Sequence, residues 1–210
     1  MTTPQELVQG FRRFRERHFT QDDALYRQLV AKGQTPKILV VACCDARVDP
    51  AIVLNSEPGD LFVIRNVANL VPPSENQGGH HGTSAALEFG VRNLGVQHII
   101  VLGHAQCGGI QALMQASGNQ DEDSYIGDWM RLVASARAGV ERDMPDASQE
   151  TRQRSCEQGA ILVSLANLMT FTWVQERVEQ GALTLHGWYF DIERGQLLSH
   201  EANTGKFVSL

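Results

Sequence analysis

Two short segments of the chain carry side chains that bind metal ions. Cys43 and Cys44 follow one apolar run, and His104 and Cys107 follow another. Thiolates and imidazoles are common zinc ligands, and a catalytic zinc site takes three protein ligands and leaves a fourth position for water. The sequence therefore predicts a zinc site formed by His104, Cys107 and one of the two paired cysteines.

The paired cysteines cannot both point toward the same site, because side chains one residue apart on a strand point to opposite faces. Periodicity alone leaves the choice between Cys43 and Cys44 open. Cys107 is predicted to stand at the start of a helix, where the helix dipole favours a thiolate. The backbone N–H groups of Gly108 and Gly109 would be open to an anion at the same helix start.

A carboxylate and a guanidinium follow the first cysteine closely, as Asp45 and Arg47. Arginine pairs bidentately with a carboxylate and would keep Asp45 ionised and oriented. Such a carboxylate suits the acceptance of a hydrogen bond from a zinc-bound water or hydroxide. Asp-x-Arg by itself is more typical of a surface ion pair, so the functional interpretation depends on the neighbouring cysteine.

The elements that must position these residues alternate between strand and helix. Unbroken apolar runs at 38–42 and 61–64 predict strands buried on both faces, and 98–102 predicts a third. A helical pattern covers 82–94, with Gly95 at the position of a C-cap. This alternation indicates parallel βαβ units, in which ligands bind beyond the carboxyl ends of the strands, where both cysteine segments lie.

The remaining segments complete an α/β prediction: a mostly parallel central sheet flanked by helices, with an N-terminal helical arm and a C-terminal strand pair. We predict a single domain, 1–210. It divides into the arm (1–33), a zinc-binding βαβ core (34–125), and a helical layer with the C-terminal strands (126–210). The supporting patterns are a two-piece helix over 4–31 with Thr20 as N-cap before Asp22 and Asp23, a helix from Cys107 to Gln115, a polar stretch 117–124, helices over 126–140 and 149–178, and strands 183–191 and 196–200.

Composition limits the possible partners and compartments. Hydrophobic residues make up 42% and charged residues 20% of the chain, which is typical of a globular protein with a packed core. The net charge of −6 argues against nucleic acid as a partner. With no apolar signal segment and no membrane-length run, we expect a cytoplasmic protein. Its cysteines would stay reduced, and Cys156 is expected to be a buried core residue.

Two other functional classes are alternatives to a zinc enzyme. Nucleotide binding is disfavoured because the glycine-rich turn at 103–109 lacks the Lys-Ser/Thr ending of a P-loop. Metal-free nucleophilic catalysis by Cys107 with His104 remains an alternative, although it assigns no role to Cys43. His80 and His81, beside several glycines, are expected to be loop residues rather than ligands.

The residues resemble the β-class carbonic anhydrases. That family's Cys-x-Asp-x-Arg pattern matches Cys43, Asp45 and Arg47, and its His-x-x-Cys pattern matches His104 and Cys107. The similarity extends through 57–69, 82–89 and 186–188.

The resemblance implies that zinc is held by Cys43, His104 and Cys107, with Asp45 and Arg47 as an orienting dyad. Zinc-bound hydroxide would then attack carbon dioxide and release bicarbonate and a proton, with activity rising toward alkaline pH. Similar enzymes are homodimers or higher homo-oligomers with the active site at the dimer interface. The residues that the resemblance assigns to substrate are Phe62, Val67, Phe89 and, from the partner subunit, Gln34, to which we add Gly108 from its position.

Two alternatives keep the same ligand set: a hydrolase of carbon disulfide or carbonyl sulfide, and a zinc-binding module without activity. Two positions differ from relatives. Cys44 stands where many relatives have Ser or Ala, and Val40 stands where a bicarbonate-regulated subset has Trp. We therefore expect no bicarbonate-locked inactive state.

Overall fold

The computed structural model describes residues 2–20, 24–75, 81–116 and 124–210. The predictions for Asp22 and Asp23, for His80 and for the polar stretch up to residue 123 lie outside these ranges. The chain divides into two compact units, Met1–Thr35 and Pro36–Leu210. The predicted single domain over 1–210 remains a prediction.

The first unit is helical, and it contains the two pieces predicted for the arm. Helix α1 (Pro4–Arg15) begins with a capping box in which Thr3 and Glu6 satisfy each other's backbone N–H groups. A π-helical turn, Glu16–Thr20, extends α1, and α2 covers Ala24–Lys32. The ring of Phe14 packs edge-on against that of Tyr26, with centroids 5.4 Å apart, and this contact ties the two helices together.

The second unit is built on a six-stranded sheet in the order β2-β1-β3-β4-β5-β6. The first four strands are parallel and the last two pairings are antiparallel. The strands are β1 (Ile38–Cys43), β2 (Leu61–Asn66), β3 (His98–His104), β4 (Thr184–Asp191), β5 (Gln196–Glu201) and β6 (Lys206–Ser209). The predicted α/β class, with its parallel sheet and C-terminal strand pair, is confirmed.

Two details of the strand prediction were wrong. Strand β2 lies at the edge of the sheet rather than in its centre, so Val63 is 39% exposed and only Ile64 is buried. Strand β6, reached through a turn at Gly205, was not predicted, because its four residues alternate too briefly to give a pattern.

Helices flank this sheet, and several long helical patterns are interrupted. The pattern 82–94 forms α4 and then a π-helical turn, Phe89–Asn93, and the pattern 149–178 breaks at 169–171 into two helices. The helices are α3 (Pro50–Val53), α4 (Gly82–Glu88), α5 (Gly108–Gln115), α6 (Tyr125–Met130), α7 (Ala134–Asp143), α8 (Gln149–Leu168) and α9 (Thr172–Glu179). Within the described ranges no helix has the length and apolar character needed to cross a membrane.

Helix α8 packs closely on strands β3 and β4 because both strands carry a glycine there. A β-carbon at Gly103 would lie 2.7 Å from Cδ1 of Ile161, and one at Gly187 would lie 2.9 Å from Cγ2 of the same side chain. Ile161 is fully buried. This approach brings α8 against the carboxyl end of β3, where Gly103 precedes the candidate ligand His104.

Candidate metal centre

Three buried ligand side chains converge at the carboxyl ends of two adjacent strands. Cys43 is the last residue of β1, His104 is the last residue of β3, and Cys107 immediately precedes α5. Their ligand atoms all lie within 4.8 Å of one another. Tetrahedral zinc ligands lie roughly 3.5–4 Å apart, so the cluster has the size of a zinc site.

The imidazole of His104 is oriented for metal binding. Its Nδ1 lies 2.8 Å from the carbonyl oxygen of Ala105, which can only accept, so Nδ1 carries the proton. Its Nε2 is buried and has no hydrogen-bond partner among the described residues. A buried polar atom without a partner is costly, and a metal ion would satisfy it. The residues therefore fit zinc.

The two thiols share a strongly coupled electrostatic environment. The contacts with the Cys107 thiol and with the nearby imidazole of His104 lower the pKa of Cys43 to about 4, although burial opposes the shift. The same contact with Cys43, together with burial, raises the pKa of Cys107. A divalent cation would stabilise both thiolates and remove this competition.

Burial distinguishes the two paired cysteines. Cys44 is exposed, and its backbone N–H donates to the carbonyl oxygen of Asn66 at 2.9 Å. Cys43 instead lies among buried residues that include Ala68 and Cys107. Because Cys43 joins His104 and Cys107, the metal-free pairing of those two residues alone leaves part of the cluster unexplained.

The carboxylate of Asp45 and the guanidinium of Arg47 form a bidentate pair. Nη2 of Arg47 lies 2.7 Å from Oδ2 of Asp45, and Nε lies 3.0 Å from Oδ1. These hydrogen bonds hold the pKa of the Asp45 carboxyl well below its usual range. Nη2 of Arg47 also donates to the carbonyl oxygen of Gln106, which adopts a left-handed backbone conformation (φ 58°) between two ligands.

Arg65 is a residue that the sequence reasoning missed. Its guanidinium donates to the carbonyl oxygens of Cys43 and Asp45 at 3.0 and 2.8 Å, and it pairs with the Asp49 carboxylate at 2.8 Å. It thus holds the whole turn that follows β1. The available signal was an arginine directly after the apolar run 61–64, in register with Ala42 of β1.

The predicted substrate residues are distributed unevenly around the ligands. Val67 is 37% exposed. It directly precedes Ala68, which packs in the same buried cluster as Cys43 and Cys107. Gly108 is exposed at the first position of α5.

Phe62 and Phe89 contact each other, with ring centroids 5.9 Å apart. Phe62 on β2 pairs in register with Leu39 on β1, and Asn66 pairs with Cys43. The offset of four residues between these two pairs places Phe62 about 13 Å along the strand from the level of Cys43. The structure thus does not bring these two rings to the chain's own ligands. Gln34 is exposed and belongs to the first unit.

Comparisons with known proteins agree with this site. A carbonic anhydrase family model matches residues 38–197. The chain is 41% identical over 186 residues to β carbonic anhydrase 5 of Arabidopsis thaliana, covering 89% of this chain and 61% of that protein, so it spans less than two thirds of that relative's length.

Solved structures give the same result. The β-carbonic anhydrase CcaA superposes with a TM-score of 0.91 at 35% identity, covering 98% of each chain. A tetrameric β-carbonic anhydrase from Sordaria macrospora superposes with a TM-score of 0.81 at 27% identity, covering 93% of this chain and 95% of the other. With its Cys-His-Cys cluster at the ends of β1 and β3, the chain belongs to the β-carbonic anhydrase family.

Proposed function

We propose that the protein catalyses the reversible hydration of carbon dioxide to bicarbonate and a proton with zinc held by Cys43, His104 and Cys107. The observation that carries this proposal is the buried Nε2 of His104, which has no hydrogen-bond partner in the described part of the chain. The ligand atoms of His104, Cys43 and Cys107 all lie within 4.8 Å of one another. Zinc bound there would act as a Lewis acid that lowers the pKa of a coordinated water. Two thiolate ligands should lower that pKa less than neutral imidazoles would, so we expect activity to rise toward alkaline pH.

Asp45 would select and orient the hydroxyl group that attacks carbon dioxide. Both oxygens of the carboxylate accept hydrogen bonds from Arg47, which keeps the group ionised. An ionised carboxylate can accept a hydrogen bond but cannot donate one, so it favours a proton-bearing group at the vacant coordination position. The Arg47 contact to the Gln106 carbonyl ties this dyad to the turn that carries His104 and Cys107.

The apolar part of the substrate pocket would be completed by a second copy of the chain. A β-carbon at Gly109 would lie 2.8 Å from Cγ1 of Val67, so Val67 lies close to the turn that carries Cys107. Phe62, which contacts Phe89, lies about 13 Å along β2 from the level of Cys43. A homodimer that places Phe62, Phe89 and Gln34 of one subunit near the ligands of the other would close the site. The description of a relative as tetrameric supports a homo-oligomer.

We place this enzyme in the cytoplasm, because the four cysteines form no disulfide among the described residues and three of them are needed reduced. The substrate is a small molecule, and the net charge of −6 does not favour nucleic acid.

The test is stopped-flow hydration of carbon dioxide at alkaline pH by protein of measured zinc content, with Asp45→Ala as the matched variant. We expect one zinc per chain, fast hydration, and a large loss in the variant with zinc retained. Full zinc occupancy without hydration would contradict the proposed reaction, and hydration by the metal-free protein would contradict the zinc mechanism.

A further inference from the structure

A buried carboxylate outside the ligand cluster has no part in the reaction described above. Glu157 lies in the middle of α8, between residues of the apolar core, and is only 3% exposed. Burial of a carboxyl group is unfavourable unless hydrogen bonds compensate. The buried position of Glu157 therefore needs an explanation that apolar packing alone does not provide.

Each oxygen of Glu157 is aimed at a hydrogen-bond donor. Oε1 accepts from the backbone N–H of Cys107 and from Nε2 of Gln153, each at 3.0 Å. Oε2 lies 2.7 Å from the hydroxyl of Tyr189, which is fully buried. Helix α8, strand β4 and the turn before α5 thus meet at one side chain.

The hydrogen bond from the Cys107 backbone to Glu157 involves one of the three candidate metal ligands. Cys107 is the residue before the first turn of α5, and in the described structure its side chain makes no hydrogen bond to cap that helix. The backbone N–H of Cys107 donates to Oε1 of Glu157 instead, while the Cys107 Sγ belongs to the ligand cluster. Fixing the N–H of a residue restricts rotation of its peptide and so sets the direction of its Cα–Cβ bond.

Strand β4, which carries Tyr189, is also linked to α8 and to the ligand turn. The guanidinium of Arg154 lies 5.9 Å from the centre of the Tyr189 ring and pairs with Asp191 at 2.8 Å. Phe190, the residue after Tyr189 on β4, pairs in register with His104, and its carbonyl oxygen accepts from the N–H of Ala105 at 2.9 Å. Rigid elements therefore connect Glu157 to two of the three ligands.

We propose that Glu157 is a positioning residue that orients the Cys107 thiolate toward the metal by holding the Cys107 backbone N–H. This inference depends on the metal site of the proposed function. Groups that orient a ligand commonly change metal affinity by about 10–100-fold when they are removed.

Glu157→Met tests the inference, because it removes both acceptors while filling most of the volume. We expect zinc affinity, measured by competition with a chromophoric chelator, to fall by about 10–100-fold. The thiolate-to-cobalt band of the cobalt-substituted protein should also shift or weaken. Glu157→Gln keeps an acceptor for the Cys107 N–H and should recover most of the affinity and the band. Glu150→Gln, an exposed position at the start of the same helix, is the control.

A purely structural role predicts a different result. The melting temperature of the metal-free Met variant would then fall while its zinc affinity and cobalt band matched the parent, which would overturn the inference. If the Met variant does not fold, Glu157→Asp decides, because the shorter side chain draws the carboxylate away from Cys107. Parental affinity in the Asp variant would overturn the inference, and weakened affinity would support it.

The parent protein separates this inference from the proposed function. A parent that binds zinc and hydrates carbon dioxide, with a Met variant equal to it in zinc affinity and cobalt band, would leave the function standing and remove only the role of Glu157. A parent that binds no zinc would overturn both.

Discussion

The guanidinium Nε of Arg65 on β2 lies 3.0 Å from the carbonyl oxygen of Cys43 at the end of β1. The same side chain donates to the Asp45 carbonyl and pairs with Asp49, so one planar group holds three points of the turn that carries a ligand and the dyad. Such a fork cannot be reproduced by an ammonium group.

Arg65→Lys should therefore lower both zinc affinity and hydration. Lysine retains the charge but can satisfy only part of the three contacts, so the turn after β1 loses its fixed geometry. We expect about a tenfold loss or more in zinc affinity, within the range seen when groups that support a ligand are removed. Chelator competition measures it. Arg92→Lys, at an exposed arginine paired with Glu88, is the control, and equal behaviour of the two variants would contradict the role of Arg65.

Asp45→Asn tests the charge of the dyad without changing its shape. The amide can donate a hydrogen bond where the carboxylate only accepts, and it leaves one neutral oxygen in place of the two charged oxygens that accept from Arg47. We expect kcat/KM for hydration to fall by about 100-fold or more, in the range of a lost acid–base group, with zinc content unchanged. Stopped-flow hydration together with metal analysis measures both quantities. Unchanged kcat/KM would show that the carboxylate is a structural ion pair.

Cys43→Ser and Cys44→Ser form a matched pair of neighbouring substitutions. The first removes a buried ligand and should abolish stoichiometric zinc binding, while the second alters an exposed thiol and should change stability by no more than about 0.5 kcal/mol. Zinc content and hydration are measured for both. A large loss in the Cys44 variant would reverse the choice of ligand.

The metal centre was more predictable from sequence than the strands around it. His104 and Cys107 are three residues apart, so local geometry alone brings them together. Cys43 required the adjacency of β1 and β3, which a βαβ topology permits but does not dictate and which the sheet shows. The edge position of β2 was not predictable from 61–64, because an apolar run does not show which strand neighbours it lacks. Arg65 and Glu157 were missed because the contacts that link them to the ligand segments are made to backbone groups, which residue types do not reveal.

Gly103→Ala should destabilise the fold next to the metal centre. The added β-carbon would lie 2.7 and 2.9 Å from Cδ1 and Cγ1 of the buried Ile161. Overpacking of this kind costs about 1–3 kcal/mol, or roughly 2–12 °C in melting temperature for a chain of this size. Ile161→Val in the same chain removes Cδ1 and should restore part of the loss. A double variant no more stable than Gly103→Ala would contradict this cause.

His186 should make stability depend on pH in mildly acidic solution. Burial lowers the pKa of His186, and the neighbouring His98, whose Nδ1 lies 3.3 Å from its Nε2, lowers it further. The folded chain therefore binds a proton at this site less readily than the unfolded chain, whose histidine titrates near pH 6.5. Above about pH 6.5 the histidine is neutral in both states, and the free energy of unfolding is unaffected by it. As the pH falls from about 6.5 through the lowered pKa of His186, the unfolded chain binds the proton more readily, and the free energy of unfolding decreases.

The measurement compares the melting temperatures of the parent and of the single variant His186→Gln as the pH falls from 8 to 5. We expect the parent to lose stability more steeply than the variant below about pH 6.5, because the variant has no group to protonate at this position. His200→Gln on β5 removes a histidine outside the pair and should follow the parent. Parallel curves for the parent and His186→Gln would show that protonation at this position is not linked to folding.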